Sequence, residues 1–243
     1  MGLQIVITGA STGIGTSTAL ELAEGNTIFL HYNSSKDAAE KTAKEVESKG
    51  GSVVLVQADL STDEGCEKLA EEVKKRTDAL DVLVNNAGGL LYRHSFEDTT
   101  WKIMDETFRL NVFSVMRVTA LLLPLLKKRE EANIVNITSV AGRNGSPTAV
   151  TYASAKGALD TYTRGLAKGL APNIRVNSVA PGVILTPFHD KSTPKEQFEK
   201  FMNAIPLEKA GEPEEIARAI RFILETPFLT GESIDINGGM NMR

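Results

Sequence analysis

The chain has 243 residues, of which 42% are hydrophobic and 24% charged, and its net charge is −4. This composition is typical of a globular protein, and we expect one domain over residues 1–243 because α/β folds of this size often form one unit. The negative charge argues against a nucleic-acid partner. The start of the chain does not resemble a secretory signal, and the apolar run Val118–Leu126 is too short to span a bilayer. We therefore expect no membrane partner and a cytoplasmic location.

The number and spacing of cysteine and histidine residues argue against disulfide bonds and a metal site. Cys66 is the only cysteine, so no disulfide can form within the chain, which fits a reducing compartment. His31, His94 and His189 are far apart and lack the spacing of a metal site. We expect no bound metal.

Short runs rich in β-branched residues alternate along the chain with amphipathic segments such as Lys36–Lys49. Strands that alternate with helices predict right-handed crossovers and a parallel sheet covered on both sides. The predicted fold is α/β, a Rossmann-type doubly wound sheet of about seven strands with helices on both faces. The predicted strands are Leu3–Thr8, Thr27–Tyr32, Ser52–Gln57, Asp81–Asn86, Asn133–Thr138, Ile174–Ala180 and Glu232–Asn237.

A glycine-rich turn, TGASTGIG at Thr8–Gly15, follows the first predicted strand and leads into a helix. Such a turn presents backbone N–H groups and the positive end of a helix dipole to a pyrophosphate. The spacing of Gly9, Gly13 and Gly15 differs from the GxGxxG fingerprint, and a plain strand-to-helix turn would also use glycine. The turn favours a dinucleotide but needs support from elsewhere in the chain.

A tyrosine and a lysine four residues apart, Tyr152 and Lys156, would share one face of a helix. Tyr32 and Lys36 have the same spacing, but Tyr32 ends a predicted strand, where residues so spaced do not meet. Ser139 stands thirteen residues before Tyr152, and no serine stands at that distance before Tyr32. The first pair is therefore the candidate for catalysis.

Several motifs in a fixed order resemble those of the single-domain short-chain dehydrogenase/reductase family. The resemblance runs from Ile5 to about Gly239 and implies a nicotinamide-dependent oxidoreductase that interconverts a carbonyl and a secondary alcohol. The motifs are TGxxxGxG at Thr8–Gly15, NNAG at Asn85–Gly88, Asn111 in RLNV, Ser139, YxxxK at Tyr152–Lys156, and Pro181-Gly182 followed by Thr186.

The resemblance implies a role for each member of the catalytic set. Tyr152 would be the general acid/base, Ser139 would orient the substrate oxygen, and Asn111 would support a proton relay through water. Lys156 would hold the nicotinamide ribose and lower the pKa of Tyr152. An ammonium about 4 Å away, at an effective dielectric near 20, contributes about 4 kcal/mol, which is enough to bring a phenol from about pH 10 to about 7.

The expected cofactor contacts follow the strand ends, where open α/β sheets bind ligands. Asp59 would lie near the adenine and Ile184 near the nicotinamide carboxamide. The full set is Gly9, Ser11, Thr12, Gly13, Ile14, Gly15, Tyr32, Asn33, Ser34, Asp59, Leu60, Asn85, Ala87, Gly88, Tyr152, Lys156, Pro181, Gly182, Ile184 and Thr186.

The end of the second strand bears on which nicotinamide is used. An acidic residue there normally grips the ribose 2′-hydroxyl of NAD, but Tyr32 and Asn33 stand in its place. The donors at Ser34–Lys36 favour NADP(H) over NAD(H). Thr12 argues the other way, since many NADP-preferring relatives carry Arg at that position, so use of both cofactors stays open.

Substrate contacts are expected from Gly89–Ser95, from Val140–Ala149 and from a mobile segment around 184–205. IRVNSVAPG and INGGM resemble 3-oxoacyl-acyl-carrier-protein reductases, but GLLYRHS follows NNAG where those enzymes usually have Ile-Thr-Arg-Asp. The leading hypothesis is an NAD(P)-dependent carbonyl reductase or alcohol dehydrogenase that acts on a small-molecule carbonyl or alcohol, including acyl-carrier substrates.

Two alternatives remain open. A sugar or polyol dehydrogenase is suggested by polar Tyr92, Arg93, His94 and Asn144 near the expected pocket. A noncatalytic dinucleotide-binding sensor or scaffold is disfavoured because it would not need the whole catalytic set. The resemblance also implies a homotetramer that pairs long helices between subunits.

Overall fold

The computed structural model describes residues 2–187 and 195–242. Within them, one seven-stranded sheet has the order β3-β2-β1-β4-β5-β6-β7, and all of its strand pairs are parallel. The predicted doubly wound Rossmann-type fold is confirmed. The strands are β1 Gln4–Ile7, β2 Thr27–Tyr32, β3 Ser52–Gln57, β4 Val82–Asn85, β5 Ala132–Ile137, β6 Ile174–Pro181 and β7 Ser233–Ile236.

Helices connect successive strands and cover both faces of the sheet. A short π-helical segment, Arg109–Phe113, joins two of them end to end. The helices are α1 Gly13–Glu21, α2 Lys36–Ser48, α3 Asp63–Lys74, α4 Trp101–Phe108, α5 Ser114–Leu126, α6 Ala141–Asn144, α7 Val150–Leu170, α8 Lys195–Asn203 and α9 Pro213–Glu225.

The core is divided into two layers by the sheet. Ile5 and Ile7 of β1 belong to the layer that includes Ile220 of α9, whereas Val6 between them belongs to the layer that includes Leu122 of α5. Successive strand residues point to opposite faces, so a strand buried on both sides must be apolar throughout. Each fully buried aliphatic side chain contributes about 1.5–3 kcal/mol, which fixes the register of the strands.

The sheet has a switch point beside β1. β1 pairs with β2 on one side and with β4 on the other, so the chain leaves the carboxyl ends of β1 and β4 in opposite directions. A crevice forms at such a point in open α/β sheets. The glycine-rich turn and the NNAG segment follow these two strands and meet there.

One stretch, Trp101–Leu126, is long and apolar enough to cross a membrane by length and composition, with a mean hydropathy of 1.5 in its most apolar window. Half of that window is buried inside the protein. Core helices commonly meet the same two criteria, and Val118, Leu122 and Leu126 of this stretch pack in the core beside α3.

Candidate active site

The glycine turn, Thr8–Gly15, begins directly after β1 and adopts a conformation that requires glycine. Gly9 and Gly13 have φ values of +63° and +56°, which side chains with a Cβ rarely adopt. A Cβ on Gly13 would lie 2.9 Å from the Cγ2 of Thr186. Thr12 provides no side-chain cap for α1, and the first turn of α1 holds no acidic residue. The N–H groups of that turn are therefore placed to bind an anion.

Hydrogen bonds from the NNAG segment fix the conformation of the glycine turn. The Nδ2 of Asn86 donates to the carbonyl oxygens of Thr8 and Gly9, each at 2.9 Å. In return, the hydroxyl of Thr8 accepts the backbone N–H groups of Asn86 and Ala87, each at 2.9 Å. A Cβ on Gly15 would lie 2.2 Å from the Gly9 carbonyl oxygen, so glycine lets α1 pack directly against the turn.

Ser139, Tyr152 and Lys156 come together on the wall of a cavity of about 470 Å³. Ser139 follows β5, and the other two lie on the first two turns of α7, on one face. The hydroxyl of Ser139 hydrogen-bonds to that of Tyr152. The amine of Lys156 donates to the carbonyl oxygen of Ile137 at 2.9 Å and lies 5.8 Å from the centroid of the Tyr152 ring.

The electrostatics of this pair differ from the sequence argument. Burial raises the pKa of Tyr152 to about 12, with the Ser139 hydrogen bond opposing the rise. Burial also lowers the pKa of Lys156 to about 8. The expected fall in the pKa of Tyr152 is therefore not observed, because desolvation of the phenolate outweighs the Ser139 hydrogen bond. The Lys156 amine is turned toward the carbonyl oxygen of Ile137. The phenol holds its proton at neutral pH.

Asn111 is fully buried in the π-helical segment and does not line the cavity. Its Nδ2 donates to the carbonyl oxygens of Gly89 at 2.9 Å and Thr107 at 3.0 Å, and its Oδ1 accepts the N–H of Gly89 at 3.0 Å. A Cβ on Gly88 would lie 2.8 Å from that Oδ1 and 3.1 Å from the Lys156 amine. Asn111 thus stands directly behind the cavity wall, and its role as a proton relay stays a prediction.

Most of the expected cofactor residues line the same cavity. The exceptions are Gly15, Tyr32 and Asn85. Those that line it besides Tyr152 and Lys156 are Gly9, Ser11, Thr12, Gly13, Ile14, Asn33, Ser34, Asp59, Leu60, Ala87, Gly88, Pro181, Gly182, Ile184 and Thr186.

Two of these exceptions, Tyr32 and Asn85, lie at strand ends and are explained by the alternation of side chains along a strand. Tyr32 is buried in the core layer that includes Ala39 and Val46 of α2. Asn85 is buried and donates to Thr119 and Asn136 inside the protein, at 3.1 and 2.9 Å. Neither residue lines the cavity, and a direct contact of Tyr32 or Asn85 with the cofactor stays a prediction.

Sequence reasoning missed the neighbours of these two strand residues. His31 and Asn86 line the cavity, as does Ser35. The period of two along β2 and at the end of β4 predicts that Tyr32 and Asn85 face away from His31 and Asn86. Applying that period to the strand ends would have found both cavity residues.

The cavity lining includes the apolar residues Leu90, Leu110, Phe201 and Met240. Arg93 also lines the cavity, 5.5 Å from the centroid of the Phe201 ring. Part of the predicted mobile segment, residues 188–194 with His189, lies outside the described residues. In the described ranges, no group of three or more His, Cys, Asp or Glu could hold a metal ion.

The shape and chemistry of the cavity suit a nicotinamide dinucleotide. Gly13 packs against Thr186 and Gly9 against Ala87 so closely that a Cβ would lie 2.9 Å and 3.0 Å from these neighbours. The N-terminus of α1, which has no side-chain cap and could bind a pyrophosphate, borders one part of the cavity. Ser139, Tyr152 and Lys156 line another part of it. Fold and site together define a dinucleotide-binding α/β protein of the Rossmann type.

Comparisons with known proteins agree with this class. The short chain dehydrogenase family model matches residues 4–197. A 3-oxoacyl-[acyl-carrier-protein] reductase of Synechocystis sp. is 37% identical, with the alignment covering 98% of this chain and 96% of that protein. The chain belongs to the short-chain dehydrogenase family, and it is an oxidoreductase that acts on CH–OH groups.

Solved structures agree with the same assignment. The RhlG/NADP active-site complex of Pseudomonas aeruginosa has a TM-score of 0.91 and 32% identity, over 99% of this chain and 97% of that one. The angucycline C-6 ketoreductase LanV with bound NADP has a TM-score of 0.91 and 30% identity, over 98% of this chain and 95% of that one.

Proposed function

We propose that the protein is an NAD(P)(H)-dependent carbonyl reductase that favours NADP(H) and uses Tyr152 as its general acid/base. The observation that carries the proposal is the gathering of Ser139, Tyr152 and Lys156 on the wall of one cavity that also borders the glycine turn. A protein that only senses a dinucleotide would need the glycine turn but none of these three side chains together.

The chemistry divides between cofactor and protein. A bound nicotinamide supplies or accepts the hydride. The Tyr152 phenol is protonated at neutral pH, since its pKa is about 12, so it can donate a proton to the carbonyl oxygen as negative charge develops there. Ser139, already hydrogen-bonded to Tyr152, places a second donor at the same oxygen. Lys156 is charged below its pKa of about 8 and stabilises the phenolate left behind.

The preference for NADP(H) is supported by the residues at the end of β2. Asn33, Ser34 and Ser35 line the cavity there, and none carries the carboxylate that would repel a 2′-phosphate. The carboxylate that does line the cavity, Asp59, accepts the backbone N–H and the hydroxyl of Ser61 at 3.0 and 2.7 Å. Two similar solved structures contain NADP by their descriptions.

An apolar ketone is the substrate class that the cavity favours over a sugar or polyol. Of the four polar residues that suggested a sugar, Arg93 and Asn144 line the cavity, whereas Tyr92 and His94 do not. Asn144 donates to the Met240 carbonyl oxygen at 3.0 Å, and Tyr92 bonds to Glu106. His94 bonds to Ser95 and Thr151. Apolar lining residues such as Leu90 and Phe201 suit an acyl chain, and the chain is similar to a 3-oxoacyl-[acyl-carrier-protein] reductase.

We also propose that the protein forms a homotetramer with one domain per subunit and that it is located in the cytoplasm. Phe113, at the end of the π-helical segment, is 52% exposed, and Met116 in α5 is 37% exposed. Exposed apolar side chains of this kind are typical of helices that pair between subunits. Light scattering of the purified protein measures its oligomeric state directly.

Turnover assays test the proposed reaction. NADPH and NADH oxidation is followed over β-ketoacyl thioesters, diketones, aldehydes and sugars, with the Tyr152→Phe variant beside the wild type. We expect NADPH oxidation with ketone substrates and at least a thousandfold lower kcat in the variant, with NADPH affinity retained. Full turnover by the variant would remove Tyr152 as the acid. Tight cofactor binding without turnover of any substrate in the panel would favour the noncatalytic dinucleotide-binding sensor.

A further inference from the structure

His31 joins two loops of the dinucleotide site through its side chain. It lies near the carboxyl end of β2, is only 2% exposed, and lines the cavity. The backbone N–H of Gly9 donates to its Nδ1 at 2.9 Å. Its Nε2 lies 3.0 Å from the carbonyl oxygen of Ala58, which follows β3. The imidazole therefore bridges the glycine turn and the loop that carries Asp59.

These two partners fix the protonation state of the ring. A backbone N–H can only donate, so the Nδ1 of His31 must be an acceptor without a proton. A carbonyl oxygen can only accept, so Nε2 carries the hydrogen and donates it to Ala58. A neutral ring with its hydrogen on Nε2 satisfies both partners, whereas an imidazolium would set its Nδ1–H against the N–H of Gly9.

The surroundings of the ring favour this neutral state. Burial lowers the pKa of His31 to about 4, opposed by the Ala58 hydrogen bond and by the negative charge of Asp59. Asp59 is the charged group that acts on the ring among the described residues. The glycine turn on the other side, Gly9–Gly15, contains no ionisable side chain. The ring therefore stays neutral throughout the physiological range.

Gly9 depends on side chains for both of its backbone groups. His31 accepts its N–H, and Asn86 donates to its carbonyl oxygen at 2.9 Å. The backbone of His31 holds the next residue as well, since its carbonyl oxygen accepts the N–H of Ala10 at 2.8 Å. The conformation of the turn is thus fixed from two neighbouring strands before any ligand binds, which removes an ordering cost from binding.

We propose that His31 is a positioning residue of the dinucleotide site, which as a neutral imidazole fixes the Gly9 peptide and ties the glycine turn to the Ala58–Asp59 loop. It touches no reacting atom, so it acts on cofactor affinity and not on the chemical step. The inference rests on the proposed dinucleotide site. The predicted effect is on the Kd and KM of the cofactor, with kcat at saturation preserved.

Binding measurements on two variants test the role. His31→Phe keeps a ring of similar size without either hydrogen bond, and His31→Asn is too short to reach both partners. Leu126→Ala is the matched control, because Leu126 is a fully buried core residue that does not line the cavity. NADPH fluorescence gives Kd, and steady-state rates give KM and kcat. We expect Kd to rise at least tenfold in both histidine variants, kcat to stay within threefold, and the control to keep the wild-type Kd.

A spectroscopic measurement on the wild type does not depend on the variants folding. Nitrogen NMR of histidine-labelled protein at pH 5.5 and 7.5 should show His31 as a neutral ring with its hydrogen on Nε2 at both values. A protonated ring, or a hydrogen on Nδ1, overturns the proposal. So does an unchanged Kd in a folded His31→Phe variant while the wild type binds NADPH. A wild type that binds neither NADPH nor NADH refutes the proposed function itself.

Discussion

Replacing Lys156 with methionine should lower activity and raise stability at the same time. Methionine keeps most of the side-chain volume and removes the charge, so the two effects of the buried ammonium can be measured separately. Lys168→Met is the control, because it removes an exposed lysine from the same helix.

The loss of activity follows from the distance between the charge and the ring. At an effective dielectric near 20, a unit charge 5.8 Å from the Tyr152 ring centroid stabilises a phenolate by about 3 kcal/mol. At 1.36 kcal/mol for each factor of ten, its removal lowers kcat about 100-fold. The wild-type rate of ketone reduction should fall as pH rises through about 8, the pKa of Lys156, and that fall should vanish in the variant.

The gain in stability follows from the lowered pKa of Lys156, about 8 against an ordinary value of 10.5. Between these values the unfolded chain binds the proton and the folded protein does not, so wild-type stability rises with pH across this window. At pH 7 the buried charge costs about 3 kcal/mol. The variant also loses the hydrogen bond to Ile137, worth about 1 kcal/mol. The net gain is about 2 kcal/mol.

Urea unfolding at pH 7 and pH 9.5 measures the gain, and initial rates at saturating NADPH measure the loss. The advantage of the variant should shrink at pH 9.5, where wild-type Lys156 is largely neutral. A variant that is less stable than the wild type at pH 7, with a difference independent of pH, would refute the reasoning from burial. A kcat within fivefold of the wild type would refute the reasoning from charge.

Four further outcomes are expected. Asn33→Asp should lower the ratio of kcat/KM for NADPH to that for NADH at least tenfold, because a carboxylate repels the 2′-phosphate; an unchanged ratio would contradict the proposed phosphate position. Gly15→Ala should raise the Kd for NADPH and lower the unfolding free energy by about 1–3 kcal/mol, since its methyl group would lie 2.2 Å from the Gly9 carbonyl oxygen. Asn85→Ala should lower the free energy of urea unfolding by about 1–3 kcal/mol, because it leaves buried hydrogen-bond partners unpaired, and should keep the NADPH Kd within twofold. A tenfold higher Kd would indicate that Asn85 contacts the cofactor. Stability should rise between pH 4 and 6.5, because the pKa of His31 is lowered from 6.5 to about 4 and the unfolded chain binds more protons there; the His31→Asn variant should lack up to about 3 kcal/mol of this rise.

The sheet and its seven strands could be predicted because β-branched runs buried on both faces have a clear pattern. The position of the turns that carry Gly9 and Ser139 at the cavity could be predicted, because turns that follow parallel strands meet at one edge of the sheet. The motifs did not show that Tyr32 and Asn85 lie away from the cavity lining, because a motif gives a position in the chain but not the face of the strand. The pKa of Tyr152 depends on how much water burial removes and where the Lys156 amine points, and neither quantity is present in the spacing of the two residues.

The widened turn at Arg109–Phe113 constrains the register of the helices on either side of it. A π-helical turn holds one residue more than an α-helical turn, so α5 is rotated by about 100° relative to a continuous α-helix starting at α4. Deleting one residue here would restore an unbroken helix but carry the amide of Asn111 away from Gly89. The length of this stretch is therefore expected to matter as much as the amide side chain at position 111 that it positions.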